Sequence, residues 1–468
     1  MSRYLFIIVG GSDLMAKNLT EKEIEIFEKM TVPRAVAALA VPTVISQLVT
    51  MIYNLADTWF IGQLNDAGML AAVTVVFPFF LTITAFANLF GIGGASLLSR
   101  SLGAGNPRRA GEASATAVWL AFIVTGLFSI ASFIWRVPIL AALGAKSDTF
   151  SYASGYIFWA VTVGGIPTVG NVLLAHLVRA AGAPREASFG MCFGGVLNLL
   201  LDPFFIYDWG LGMKIEGAAL ATCISNFIAL LYFLFYIYRS RSGSLTLSPR
   251  LFSPNRAVAG SIVYVGLPSS VIFFMSVVSN VVLNYLMSSY TSIALAAVGV
   301  VKKVDMMPNA IVHGICGGVI PLMAYSFAKK DFSRLRESTR FAALCAIAVT
   351  LFFFVTCEFF APYVIEIFTG EPGTIERGAS FLRLHCASIP FHAVFYLVIS
   401  YFQAIGRGTP ALILSFLRKG PIDIPFMIAL NLVWPMYGIM AVQPIMDLIV
   451  AVICICVFFK LGVKYCRA

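Results

Sequence analysis

The sequence predicts an all-α integral membrane protein with twelve transmembrane helices arranged in two pseudo-symmetric lobes of six helices each. Three observations support this fold class. Apolar residues make up 59% of the chain and charged residues 12%, with a mean hydropathy of +0.89, whereas soluble proteins carry about 25% charged residues. Long apolar runs recur along the chain and are continuous, unlike the alternating runs of a transmembrane β-barrel. The two halves share landmarks at equal spacing.

The apolar runs are long enough to cross a hydrocarbon core about 30 Å thick. Short connections between them predict that neighbouring helices are antiparallel. The first-half spans are expected at about 35–61, 70–98, 113–135, 152–175, 187–206 and 217–238. The second-half spans are expected at about 258–287, 293–325, 341–360, 381–405, 411–432 and 438–459.

The basic residues predict the orientation in the membrane. The formal net charge is +10, which in a soluble chain could signal nucleic-acid binding. With both termini inside, most Lys and Arg residues fall in inner loops, and the outer loops carry only Arg136, Lys146, Lys214 and Arg377. Because Lys and Arg are enriched in cytoplasmic loops, both termini are expected in the cytoplasm.

The matched landmarks define the repeat. Pro42 and Pro184 are 142 residues apart, as are Pro268 and Pro410. Six spans per unit give both units the same orientation, related by an axis along the membrane normal. The predicted divisions are a cytoplasmic N-terminal segment (1–34), an N lobe (35–238), an inter-lobe loop (239–257), a C lobe (258–460) and a cytoplasmic tail (461–468). The polar stretch Lys17–Lys29 leaves Met1 and Met15 as alternative translation starts.

Ionisable residues at membrane depth are the first candidates for function, because they are expensive to place there. Asp57 lies in the first span and Asp202 in the fifth. Asn198 precedes Asp202 by four residues, so both side chains lie on one helix face. Carboxylate and amide oxygens suit Na⁺ or a proton. The alternatives are that Asp57 faces water at the outer interface and that Asp202 is ordinary helix-end polarity.

The second half also carries charge at membrane depth. Lys302, Lys303 and Asp305 lie in the eighth span, and Asp423 in the eleventh. The spacing from Lys302 to Asp305 permits a structural ion pair on one face. The histidines His313 and His392 lie within apolar runs, where a hydrogen-bonded core histidine competes with a titrating one.

Enzymatic motifs are missing from the sequence. There is no phosphate-binding Walker A motif, no His-Glu-x-x-His motif and no Gly-x-Ser-x-Gly elbow. The run Gly91-Ile92-Gly93-Gly94 fails the dinucleotide-binding spacing and is typical of close helix packing. We therefore expect neither an enzyme nor a cofactor, and any uphill transport would have to use an ion gradient.

Several segments resemble the multidrug and toxic compound extrusion (MATE) family, in order and spacing, from about residue 30 onward. They are Leu39-Ala40-Val41-Pro42, Tyr53-Asn54-Leu55-Ala56-Asp57-Thr58, Leu102-Gly103-Ala104-Gly105-Asn106, Arg179-Ala180-Ala181-Gly182, and the stretch from Asn198 to Pro203.

The resemblance implies two six-helix lobes around a V-shaped cavity and export of cationic, amphipathic drugs in exchange for Na⁺ or H⁺. It implies a bacterial plasma membrane location, with lipid and small molecules rather than nucleic acid as partners, and we expect a monomer. The family's N-lobe cation site falls on Asp57, Asn198 and Asp202, with Na⁺ as one candidate ligand, and also on Asn171 and Thr222. Candidates to line the substrate cavity are Gln47, Tyr53, Asn54, Lys303 and Asp305.

The sequence departs from one branch of the family. The NorM branch has acidic residues in the seventh and tenth helices, which fall here near Ser276 and Val394. The N-lobe residues therefore favour a DinF-like member. A flippase for lipid-linked oligosaccharides or other lipids remains an alternative function, and a membrane-embedded enzyme or receptor is an alternative of another class.

Overall fold

The computed structural model of the chain describes residues 24–64, 67–142, 147–240, 245–420 and 422–462. Every regular element within these ranges is helical. Nine of the described helices are each long and apolar enough to cross a membrane, and the count is eleven if each of two bent helix pairs is taken as one span. Two shorter helices, Gly408–Arg418 and Asp423–Val433, lie where the eleventh span was predicted and together make the twelfth member of the set. Both alternative starts and the tail beyond residue 462 lie outside the described residues.

The spans follow the predicted order. In the N lobe they are Val32–Gly62, Ala67–Gly103, Pro107–Ile134, the pair Ser147–Ile157 and Gly165–Ala180, Pro184–Ile206 and Lys214–Ser240. In the C lobe they are Ser261–Ser288, Ser292–Ala328, Phe332–Glu366, the pair Pro372–Cys386 and Ile389–Ala404, the pair Gly408–Arg418 and Asp423–Val433, and Tyr437–Val457. The short helix Arg136–Ala142 links the third and fourth spans.

Local sequence sets several span ends. Gly105 has φ +70° in the turn after the second span, a conformation that glycine adopts without strain. The Asn106 side chain then accepts a hydrogen bond from the Arg109 amide at 2.9 Å, capping the third span. Asp331 caps the ninth span in the same way. The Leu102–Asn106 segment is therefore the tight turn that joins the second span to the third.

Three spans are interrupted, where the apolar runs predicted continuous helices. The fourth bends by 46° after the π-helical stretch Phe158–Val163, and the tenth bends by 40°. The eleventh ends its first half at Arg418 and restarts at Asp423, with Gly420 at φ +153° between them. That φ is one that residues with a side chain rarely adopt, so the break has a local cause that hydropathy does not reveal.

Among the described residues, the two lobes share buried apolar contacts only in the half of the bundle that contains the described chain ends. One buried apolar cluster there includes Leu39 and Leu98 of the N lobe with Ile262 and Met323 of the C lobe. In the other half, the cluster around Val298 contains C-lobe residues alone. A third cluster of Ile61, Ile206 and Ala218 belongs to the N lobe alone. The lobes therefore pack together in one half and separate in the other.

Backbone-to-backbone contacts at glycines form the junction, which we call the lobe seam. A Cβ atom added to Gly93 would lie 2.0 Å from the Ile262 carbonyl oxygen. One added to Gly266 would lie 1.8 Å from the carbonyl oxygen of Leu89. Ser96 also donates a hydrogen bond across the seam to the Gln403 carbonyl at 2.6 Å. Small residues of this kind allow helices in membranes to approach closely.

Two glycines of the eighth span provide a test of the seam. We expect Gly314→Ala to lower thermal stability, because its new methyl group would lie 2.6 Å from the Val44 Cα atom of the opposite lobe. Such overpacking costs about 1–3 kcal/mol. Gly317→Ala is the matched control, since nothing lies within 4 Å of its added Cβ. Equal melting temperatures for the two variants would contradict close packing of the lobes at this seam.

The helical turn Glu25–Lys29 closes the seam from the side of the chain ends. Phe27 is buried and stacks on Tyr325 of the C lobe with ring centroids 5.0 Å apart. Arg334 donates a hydrogen bond to the Ile26 carbonyl at 3.1 Å. Hydrogen bonds from Lys329 and Tyr325 hold the pKa of Glu28 below its usual value, so this carboxylate stays ionised at neutral pH and ties the N-terminal turn to the C lobe.

Candidate cation site in the N lobe

The fifth and sixth spans bring three predicted site residues together. Asn198 and Asp202 lie one turn apart on the fifth span, and Asp202 is fully buried. The Asn198 Nδ2 atom donates to Asp202 Oδ1 at 3.0 Å and to Thr222 Oγ1 at 3.2 Å. The Asn198 NH₂ group makes both donations, and the Asn198 carbonyl oxygen is buried without a hydrogen-bond partner among the described residues.

The fourth span adds a second amide to this cluster. Asn171 Nδ2 donates to Asn226 Oδ1 at 2.8 Å, and Asn226 Nδ2 donates to the Thr222 carbonyl at 2.9 Å. Asn226 lies one turn after Thr222 on the sixth span, so it presents the same helix face. The network therefore joins the fourth, fifth and sixth spans.

The first span supplies the second carboxylate. The carboxylates of Asp57 and Asp202 are close enough to interact electrostatically with each other. Each also interacts electrostatically with the hydroxyl groups of Tyr53 and Tyr156. A Cβ atom at Gly195 would lie 2.8 Å from a Val49 methyl group and 3.0 Å from the Tyr53 ring. Glycine at this position therefore lets the first span approach the fifth closely enough to place the carboxylates together.

Four oxygen atoms in this region are buried and accept no hydrogen bond within the described part of the chain. They are Asp57 Oδ1, Asn171 Oδ1, Asn198 Oδ1 and Asp202 Oδ2. Unpaired buried acceptors are costly, and two neighbouring carboxylates repel one another in an apolar bundle. A bound proton or a hard cation such as Na⁺ would relieve both penalties, so the donor set fits either ion.

The structure decides between some alternatives left open by the sequence. Burial of Asp202 rules out helix-end polarity facing water. The buried Oδ1 atom of Asp57 likewise argues against simple hydration at an interface. No cluster of three or more His, Cys, Asp or Glu side chains suited to a metal occurs among the described residues. Any cation site here therefore depends on mixed carboxylate, amide and hydroxyl oxygens.

Sequence reasoning missed Asn226 and Tyr156. Asn226 could have been found, because it is an amide within an apolar span and lies four residues from Thr222. Tyr156 gave no signal, since tyrosines are common in transmembrane helices. Its relation to Asp57 depends on how the fourth span bends, which the sequence does not reveal.

The five cavity candidates divide into two groups. On the eighth span, Lys303 and Met307 continue the helix face that carries Gly314, and both are exposed. Lys303 therefore faces the gap between the lobes. Gln47 and Asn54 occupy the matching face of the first span, and both are partly buried.

Two of the five predicted positions lie elsewhere. Tyr53 packs against Gly195 inside the N lobe, beside the carboxylates. Asp305 points away from the seam face of its helix into the C lobe, where His385 Nε2 lies 3.5 Å from Asp305 Oδ2. Helical periodicity places both residues on the face of their helix that is opposite the seam, so their side chains point into their own lobes.

The expected ion pair between Lys302 and Asp305 is wrong. Lys302 Nζ donates to Asn284 Oδ1 of the seventh span at 3.0 Å. Asp305 instead accepts a hydrogen bond from Asn309 Nδ2 at 2.8 Å, in addition to its contact with His385. Their three-residue spacing permits a pair, but each side chain finds a partner on a different neighbouring span.

Comparisons with known proteins agree with this architecture. The family model described as MatE matches twice, at residues 42–204 and 268–429, and the matches begin at the two landmark prolines. The internal repeat is thereby confirmed. The chain is 28% identical over 423 residues to the multidrug export protein MepA of Staphylococcus aureus (strain NCTC 8325 / PS 47), covering 90% of this chain and 92% of that protein.

Solved structures give the same fold. An outward-facing multidrug resistance MATE family transporter of the MOP superfamily superposes with a TM-score of 0.89 at 23% identity, covering 97% of this chain and all of the other. A MATE protein in complex with MaL6 also superposes with a TM-score of 0.89 at 23% identity, over 96% of this chain and 99% of the other. The predicted two-lobe, twelve-helix fold is confirmed.

Proposed function

The chain belongs to the MatE family, and from this premise we propose that it is a secondary active multidrug efflux antiporter of the bacterial plasma membrane. It exports cationic, amphipathic compounds in exchange for Na⁺ or H⁺ that binds in the N lobe. The similarity to the multidrug export protein MepA, over nine-tenths of this chain, supports drugs as the substrate class.

The observation that carries the proposal is the pair of carboxylates Asp57 and Asp202, held together with unpaired oxygens of Asn198 and Asn171. Ionisable groups inside the membrane are costly and mark ion or substrate pathways by default. Binding of one cation removes the repulsion between the carboxylates, and its release restores it. The ion can therefore alternately favour and disfavour one packing of the first span against the fifth.

Alternating access follows from the separate lobes. The positive-inside rule favours chain ends in the cytoplasm. In that orientation the lobe seam closes the cytoplasmic side and the gap opens outward. Opening of the seam on one side and closure of the gap on the other would expose the drug site to the two sides of the membrane in turn. Coupling requires that ion and drug prefer different states, which the N-lobe site provides by changing its charge.

Ethidium efflux from vesicles containing the purified full chain tests this function. A Na⁺ gradient and a pH gradient are imposed separately, and the fluorescence of trapped ethidium is followed. We expect efflux under at least one gradient and none when both are collapsed. Efflux at a rate independent of both gradients, or no efflux at all, would contradict the proposal of an antiporter and favour the lipid flippase.

A further inference from the structure

The eighth span carries two neighbouring lysines at the gap between the lobes. Lys303 lies eleven residues, about three turns, before Gly314, so it shares the helix face that meets the N lobe at the lobe seam. Its side chain is exposed. Lys302 is partly buried beside it, and its ammonium group donates a hydrogen bond to Asn284 Oδ1 of the seventh span at 3.0 Å.

Asn284 places the Lys302 ammonium group at the same gap. It follows Gly266 by eighteen residues, about five turns of one helix, so it lies on the helix face that Gly266 presents to the N lobe at the seam. Asn284 is exposed, so this face no longer touches the N lobe at that depth. Lys302 and Lys303, which we call the lysine pair, therefore approach the gap together.

The lysine pair has no carboxylate partner. Within the described ranges, no carboxylate oxygen lies within 4.0 Å of either ammonium group. Asp305 is the acid nearest in sequence, but it accepts a hydrogen bond from Asn309 and lies beside His385. An ammonium group has three donors, and Lys302 uses one of them on Asn284. Positive charge left unpaired at membrane depth is costly and indicates a functional site.

The other acids of the C lobe are held inside the lobe. The Asp447 carboxylate lies within hydrogen-bond distance of three side chains, which are Arg418 at 2.7 Å, Gln443 at 2.6 Å and His392 at 2.6 Å. Asp423 is buried and lies 3.8 Å from Lys419. Lys419 is also close enough to Lys302 for the two ammonium groups to repel one another. These acids therefore leave the lysine pair without a counter-charge.

Apolar surface lies next to the lysine pair on the same helix. Met306 and Met307 are 39% and 43% exposed, and Met307 lies seven residues, about two turns, before Gly314. Methionine side chains are flexible and adapt to ligands of different shapes. Ligand sites combine such apolar surface with a few polar groups that fix orientation. This wall of the gap therefore suits an amphipathic molecule that carries an acidic group.

We propose that Lys302 and Lys303 form a subsite for a carboxylate of the exported compound. The inference rests on the proposed function, because it places the subsite in the drug cavity of the antiporter. A carboxylate would accept hydrogen bonds from both ammonium groups and supply the negative charge that the C lobe does not. Compounds with a cationic group and a carboxylate are then better ligands than compounds with the cationic group alone, which the lysine pair repels.

Rhodamine B and its ethyl ester test the subsite by binding alone. The two dyes share one cationic ring system, and the ester blocks the single carboxylate. Fluorescence anisotropy gives their dissociation constants for the purified full chain in phosphatidylcholine nanodiscs at neutral pH, after subtraction of the signal from empty nanodiscs. We expect the wild type to bind rhodamine B about tenfold more tightly than the ester.

The double variant Lys302→Gln with Lys303→Gln removes both charges and retains an amide that can donate to Asn284. We expect its affinity for rhodamine B to fall about tenfold, with no loss of affinity for the ester, so that the preference disappears. Lys330→Gln is the control, since it removes an exposed lysine just beyond the opposite end of the same helix. Equal losses for both dyes, unchanged rhodamine B binding in the double variant, or a wild type without the preference would overturn the proposal.

Ethidium efflux from vesicles separates this inference from the proposed function, because ethidium carries no carboxylate. Gradient-driven ethidium efflux by the wild type, without any preference for rhodamine B over its ester, would reject the subsite and leave the antiporter standing. A clear preference for rhodamine B without ethidium efflux under either gradient would reject the antiporter and support the carboxylate subsite.

Discussion

Replacement of Asp57 by asparagine is expected to reduce gradient-driven ethidium efflux by at least about 100-fold while leaving the folded protein in the membrane. The loss follows because an amide in that position cannot cycle between charged and neutralised states as a carboxylate does. A 100-fold loss corresponds to about 2.7 kcal/mol. Efflux from vesicles and protein abundance in the membrane fraction are measured together.

Two further variants sharpen this experiment. Asp202→Asn should lose efflux to a similar extent, because the repulsion relieved by the ion needs both carboxylates. Asp331→Asn is the matched control, since this exposed residue caps the ninth span and asparagine is an equally good cap. If Asp57→Asn retains full efflux at normal abundance, Asp57 is not part of the coupling site.

Replacement of Arg418 by leucine is expected to destabilise the protein more than any surface change. Arg418 supplies the guanidinium that pairs with Asp447, and both side chains are almost completely buried. Leucine would leave Asp447 charged and unpaired, apart from its contacts with His392 and Gln443. Breaking a buried pair in this way costs about 3–5 kcal/mol. The measurement is the fraction of protein that remains monodisperse in detergent after heating.

The double variant Arg418→Leu with Asp447→Asn shows whether the lost stability comes from an unpaired charge. It removes both charges and should recover much of the loss, because a neutral amide at position 447 needs no counter-ion. Arg185→Leu is the control for loss of an arginine, since Arg185 is exposed in the first turn of the fifth span and should change stability by about 0.5 kcal/mol or less. Equal loss in the single and double variants would show that Arg418 stabilises the C lobe by packing alone.

The sequence revealed those parts of the molecule that depend on composition and local spacing. Membrane depth identified Asp57 and Asp202, and a four-residue interval placed Asn198 on the same face as Asp202. The matched prolines located the repeat, because each marks the same position in a copied unit. These features lie within single helices or recur along the chain.

The remainder depends on contacts between helices that are distant in sequence. His385 is the partner of Asp305, eighty residues away, and no local pattern connects them. The face of the first span that carries Tyr53 is set by its packing on Gly195 of the fifth span. The break at Gly420 arises from one backbone angle inside an apolar stretch. Periodicity shows which residues share a face but not which helix that face meets.

The glycines of the lobe seam also have a kinetic consequence. Carbonyl groups and Cα atoms meet there without flexible side chains between them, so the contact has few partly open arrangements. Separation of the lobes must then disrupt several close contacts almost at once, in one cooperative step. Such a step gives a steep temperature dependence and a waiting time that is long compared with the motion itself. The turnover rate of the transporter would be set by how often the lobes separate at this seam.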